Sequence, residues 1–138
     1  MKTRLRISQT QLTDLIDIAT SSLPNESCAL LAGEVKDMKI WKDVKVIEIF
    51  AVRNADQSVI SFSVDEMELI KLYERAEAKG LQIVGIFHSH PSRPTPSSTD
   101  VEFMRINPIV WLIYSSITHE FRAYILENEL EDVEMESD

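Results

Sequence analysis

Ile83-Val-Gly-Ile-Phe87 runs straight into His88-Ser-His90-Pro91, and this stretch decides how the chain is read. An apolar run of this length, rich in β-branched residues, predicts a central strand covered on both faces. Residues two apart on a strand face the same side, so His88 and His90, while still extended, present two imidazoles to one point. Pro91, Pro94 and Pro96 follow and predict an irregular loop. Beyond them, Ser97-Ser-Thr-Asp100 has the spacing of a capping box, with Ser97 as N-cap and Asp100 at the third helical position. A short helix is expected from Ser98 to Arg105.

Outward from this stretch the chain alternates helical and strand patterns. Leu5 to Ile7 reads as a short first strand. Leu12, Leu15, Ile16, Ala19 and Leu23 form one helical stripe, which Pro24 and Asn25 end. Cys28 to Ala32 reads as a short buried strand closed by Gly33. Ile40 to Val52 supplies one long strand or two short ones. Asn54 to Ser58 is loop-like, and Ile60 to Val64 is a further short strand. Asp65 opens a second helix, with Leu69, Leu72, Tyr73 and Ala76 as its apolar stripe and Gly80 as terminator. Ile109 to Tyr114 is a second buried strand, Ser115 to His119 a turn, and Glu120 to Leu126 the last strand. The fold class is α/β, an α+β mixed sheet that is twisted and flanked by helices.

The length of 138 residues fits one compact domain. No apolar stretch is long enough for a bilayer, and no signal core follows the basic start, so a soluble cytoplasmic protein without membrane contact is expected. The lone cysteine, Cys28, fits a reducing compartment. The formal net charge is −9, and seven acidic residues between Glu127 and Asp138 account for most of it. The expected division is a domain over residues 1–126 and a solvated acidic tail over 127–138. There is no basic face for nucleic acid.

Two imidazoles suit zinc, and a carboxylate returning after the proline loop supplies a third ligand, leaving one position open as catalytic zinc sites do. Asp100 is placed for that role. Each fragment alone is weak: His-x-His is common on surfaces, and Ser97-Ser-Thr-Asp100 is an ordinary helix start. Cys28 as a nucleophile with a histidine base is a rival scheme, although its apolar surroundings favour inert packing. His119 is expected to be exposed in its turn. Ser89, on the opposite strand face from the histidines, is expected to be structural.

His88-Ser-His90-Pro91 with Pro96-Ser97-x-x-Asp100 resembles the signature of the JAMM metalloproteases, the catalytic members of the MPN domain family. Pro24-Asn-Glu26-Ser-Cys28-Ala-Leu-Leu-Ala-Gly33 is similar to that family's upstream motif. The resemblance covers residues 5 to 126 and is to the minimal prokaryotic members. It departs from the family in a loop between His90 and Ser97 that is one residue short, and in Ala29 where glycine is common. It implies an MPN domain similar to the cytidine-deaminase-like arrangement, one Zn2+ held by His88, His90 and Asp100, and Glu26 as general base. Ser97 is implied as oxyanion donor, a role expected to compete with capping for the same hydroxyl. The implied substrates are amide bonds at the C-terminal tail of a ubiquitin-like modifier or sulfur-carrier protein. Such a tail is expected to add as a strand along Val52 to Val64, with the second helix, Asp65 to Lys79, contributing surface. Self-association is common in the family. The alternative is a non-catalytic MPN-type scaffold that binds protein partners. An unrelated metal-binding fold would place Glu26 far from His88.

Overall fold

The computed structural model describes residues 2–53 and 66–138. Its elements are β1 (Lys2–Arg6), α1 (Gln9–Ser22), β2 (Cys28–Asp37), β3 (Trp41–Val52), α2 (Glu66–Ala78), β4 (Gln82–His90), α3 (Ser98–Ile106), β5 (Val110–Ser115), β6 (Phe121–Leu126) and β7 (Leu130–Glu136). The expected loop at Asn54 to Ser58, the strand at Ile60 to Val64 and the helix start at Asp65 lie outside the described residues. The strands join in the order β1-β3-β2-β4-β5-β6-β7, and β7 closes back on β1. The sheet is mixed: β1–β3, β1–β7 and β4–β5 are parallel, and the other pairs are antiparallel. No helix among the described residues is long and apolar enough to cross a membrane.

The expected central strand is β4. It lies between β2 and β5, and every residue of it except Gln82 and Ile86 is buried. One apolar cluster, with Leu5, Leu15, Leu31, Phe87 and Leu112, lies beneath α1. Leu30, Phe50, Leu72 and Ala76 form a second beneath α2. Met104, Trp111, Ile113 and Tyr124 form a third against α3. The chain thus covers both faces of β4, which is why its sequence is a continuous apolar run and does not alternate.

Two local readings change, at the start of α1 and at Gly33. The polar residues Ser8 to Gln11 start α1: the Ser8 side chain accepts the Gln11 N–H, and the Gln11 side chain accepts the Ser8 N–H. Gly33 does not close β2 but lies inside it, at a register shift against β3. A Cβ at this position would collide with the Lys45 carbonyl, so the close backbone approach there requires glycine. Gly80 does end α2 as expected. It has φ 73°, and the Leu81 and Gly80 amides return to the Ala76 and Glu77 carbonyls.

The last twelve residues contain β7 and are not simply a solvated tail. Val133 is buried and Met135 half-buried, while the acidic residues flank them. Period-2 alternation was therefore present beneath the charge run. β7 pairs with Ala123–Leu126 on one side and Arg4–Arg6 on the other. Arg4 and Arg6 approach the Glu136 carboxylate at 3.4 and 2.8 Å, which offsets part of the repulsion along the strand.

Candidate active site

The register of β2 against β4 pairs Cys28 with His88. Facing residues of an antiparallel pair point to the same side, and so do residues two apart on a strand. Glu26 therefore falls on the face that carries His88 and His90. A slip of one residue would put it on the other face. Glu26 Oε1 lies 3.6 Å from His88 Nδ1 and 4.0 Å from His90 Nε2. Ligand-type atoms of Glu26, His88 and His90 all lie within 4.8 Å of one another, and all three residues are buried.

Asp100 approaches from the other side. The proline loop turns the chain back, and α3 begins with the expected capping box: the Ser97 N–H donates to Asp100 Oδ2 at 2.8 Å, and the Asp100 N–H donates to Ser97 Oγ at 3.1 Å. The same Oδ2 lies 3.1 Å from His90 Nε2 and 3.5 Å from His88 Nε2. The short loop therefore brings Asp100 to both histidines. Two contacts hold it there. The buried Tyr124 hydroxyl on β6 donates to the Pro94 carbonyl at 2.9 Å, and His90 Nδ1 faces the Arg93 carbonyl at 3.4 Å. An Nδ1–H held by a carbonyl leaves Nε2 as the lone-pair nitrogen, the one aimed at Asp100 and Glu26. Trp111 packs its ring edgewise on His88 at 5.7 Å between centroids.

The donor set fits zinc. Donors about 2.0–2.1 Å from a tetrahedral centre stand about 3.3 Å from one another. The separations from Asp100 Oδ2 to the two Nε2 atoms, 3.1 and 3.5 Å, bracket that value. Two imidazoles with one carboxylate are also the ligand chemistry of open zinc sites.

Charges in the cluster support one another. Burial pulls the His90 imidazolium down, but the hydrogen bond and charge of Asp100, with Glu26 and the Arg93 carbonyl, raise its pKa overall. Burial pushes the Asp100 carboxyl up, yet His90, His88 and the Ser97 amide hold it below its ordinary value. Cys28 behaves differently. Its thiol is buried, and burial with the charges of Glu68 and Glu26 pushes its pKa up to about 12. A thiol in that state is a poor nucleophile, which argues against the cysteine scheme.

Ser97 is exposed at the head of α3. The competition expected for its hydroxyl does not arise. Capping uses an oxygen lone pair as acceptor, and the O–H proton remains able to donate. His119 is exposed in the turn after β5, with φ 61°, and its Nδ1 lies 3.0 Å from the Tyr114 hydroxyl. Sequence reasoning passed over Tyr124, took Trp111 for packing alone, and passed over Ser27. Only the aromatic character of the first two was visible, and nothing in their spacing tied them to the histidines.

The family model described as Prok-JAB, prokaryotic homologs of the JAB domain, matches residues 8–126. The chain belongs to this family. The Prok-JAB chain is a hydrolase of the JAMM type, as its motifs implied. It is 34% identical over 134 residues to the desampylase of Pyrococcus furiosus, covering 95% of this chain and 89% of that protein. It is 32% identical over 98 residues to the desampylase of Haloferax volcanii, covering 70% of this chain and 67% of that one. The solution structure of a Desulfitobacterium hafniense protein superposes with a TM-score of 0.82 at 26% identity, over 97% of this chain and 92% of the other. A Salinibacter ruber protein does so with a TM-score of 0.69 at 25% identity, over 100% and 92%. These neighbours share the mixed sheet and flanking helices expected of the fold.

Proposed function

We propose that this protein is a zinc-dependent isopeptidase that hydrolyses the amide bond at the C-terminal tail of a ubiquitin-like modifier or sulfur-carrier protein. The observation that carries the reading is the convergence of Glu26, His88, His90 and Asp100, three separate parts of the chain, on one buried point. The desampylase relatives support an isopeptide substrate.

His88, His90 and Asp100 would hold the metal. Bound zinc supplies Lewis-acid charge, which makes water nucleophilic near neutral pH and polarises a carbonyl. Glu26 takes the proton of the attacking water and returns it to the leaving amine. It is placed for this by lying beside both imidazoles but outside the Asp100 side of the cluster. The Ser97 hydroxyl, with its proton uncommitted by capping, donates to the oxyanion on the scissile carbonyl. Burial of Glu26, His88, His90 and Asp100 strengthens the electrostatic contacts among them.

The test uses protein reloaded with zinc and two substrates, a ubiquitin-like protein ending in Gly-Gly joined to lysine through an isopeptide bond, and the same protein with a linear extension. Wild type is expected to bind one zinc and cleave the isopeptide substrate. Glu26→Gln is expected to keep its metal and lose about 10²–10⁴-fold in rate. Stoichiometric zinc with no cleavage of either substrate would replace this reading with the scaffold.

A further inference from the structure

Ser27 and Ser89 add one rung to the ladder beyond the first residue of β2. The Ser89 N–H donates to the Ser27 carbonyl at 3.1 Å, as in a regular antiparallel pair. The return bond is different. The Ser27 N–H donates to the Ser89 hydroxyl at 3.0 Å, and the two hydroxyl oxygens are 2.8 Å apart, one donating to the other. Both residues are buried, 2% and 3% exposed, so each of these bonds satisfies a polar group that water does not reach.

The location of this rung gives it a consequence. Ser27 directly follows Glu26, and Ser89 sits between His88 and His90. By alternation the two serines point away from the metal-ligand face, so neither meets substrate. What they fix is the position of the Glu26 segment relative to the strand that carries both imidazoles. The β2–β4 ladder proper begins at Cys28, and Glu26 lies beyond even the Ser27 rung. Alanine at position 89 would leave the Ser27 amide buried without its acceptor.

Resting on the function proposed above, we infer that Ser27 and Ser89 are positioning residues, a buried hydroxyl pair that locks the general-base carboxylate of Glu26 against the histidine strand. Hydrolysis depends on this lock because Glu26 must stay within proton-transfer reach of the water, and a displacement of about 1 Å can cost about 10²-fold.

The experiment compares zinc-loaded wild type with Ser89→Ala, Ser27→Ala and the double variant, by metal content, steady-state kinetics and amide hydrogen exchange. Ser89→Ala is expected to keep one zinc per chain and to exchange the Ser27 amide at least about tenfold faster, with the Leu112 and Ala123 amides unchanged. Its kcat is expected to fall about 10–100-fold with KM within about twofold. The double variant is expected to be no worse than the worse single one, since the two hydroxyls act as a unit. In a Glu26→Gln background, Ser89→Ala is expected to leave the residual rate unchanged. An unchanged kcat in both single variants, loss of zinc with the kcat, or a further loss of rate in the Glu26→Gln background would each overturn the proposal. If wild type binds zinc and cleaves nothing, the hydrolase reading fails on its own, and the exchange of the Ser27 amide still decides whether the lock exists.

Discussion

Asp100 Oδ2 meets His90 Nε2 at 3.1 Å across a loop that holds three prolines. The same oxygen accepts the Ser97 N–H, so one carboxylate both starts α3 and faces the histidines. Folding of the helix and assembly of the site are therefore one event on this side of the cluster. Asp100→Asn separates the two roles, because an amide oxygen can still accept the Ser97 N–H but carries no charge. Asn is expected to keep the thermal midpoint near that of wild type and to weaken zinc by at least about tenfold, while Ala is expected to lose zinc and also about 1 kcal/mol of stability through the cap. Competition with a chelator and thermal melts of the metal-free protein read the two effects apart.

Ser97 offers a parallel separation. Ser97→Ala removes both cap and donor, and is expected to cost about 0.5–2 kcal/mol of stability and about 10²–10³-fold in kcat. Ser97→Asp restores an N-cap acceptor without an O–H proton at neutral pH. It should therefore recover the melting temperature and not the rate. Recovery of both would show that capping was the whole contribution of the residue.

Cys28→Ala is expected to retain hydrolysis within about threefold, at a cost of about 1 kcal/mol for the small cavity left in the core. The wild-type thiol should also resist alkylation at pH 8 in the folded state, since its pKa is pushed up to about 12. Rapid inactivation by a thiol reagent would revive the cysteine scheme.

Acid sensitivity should appear where β1 meets β3. The Arg4 guanidinium bonds Asp43 at 2.9 Å, and Arg6 adds a second contact at 3.3 Å. Together they hold the Asp43 carboxyl below its ordinary value, against the opposing effect of desolvation. A carboxyl whose pKa is lower in the folded state contributes stability that is fully present above its unfolded value, about 3.9. That contribution is lost as pH falls through the folded value. Melting temperatures of wild type and Asp43→Asn are thus expected to differ at pH 6 and to converge below pH 3.9. Curves that stay parallel down to acid pH would show that the pair adds nothing through its charge.

Much of the architecture could be read directly because the apolar pattern matched the final environment. β4 is buried on both faces, and its sequence is correspondingly continuous; α1 and α2 each cover the sheet with one stripe. β7 was hidden because the acidic residues that flank Val133 dominate its composition, while its pairing partners, β1 and β6, come from opposite ends of the chain. Gly33 read as a terminator because glycine signals turns locally, whereas the reason for it here is the Lys45 carbonyl of a neighbouring strand.

For the site, the sequence by itself determined which residues are chemically able to act: two histidines in strand spacing, an aspartate fixed by a capping box, and a glutamate in a matching motif. Local geometry sufficed for the first two, because a strand repeats every two residues and a capping box spans one helical turn. Only the tertiary structure decided that Glu26 stands beside His88, that Asp100 reaches both imidazoles despite the short loop, and that Tyr124 and the Ser27–Ser89 rung hold the parts in place. These contacts depend on strand register and on the path of a loop across the sheet, and both are settled by packing between segments far apart in the chain.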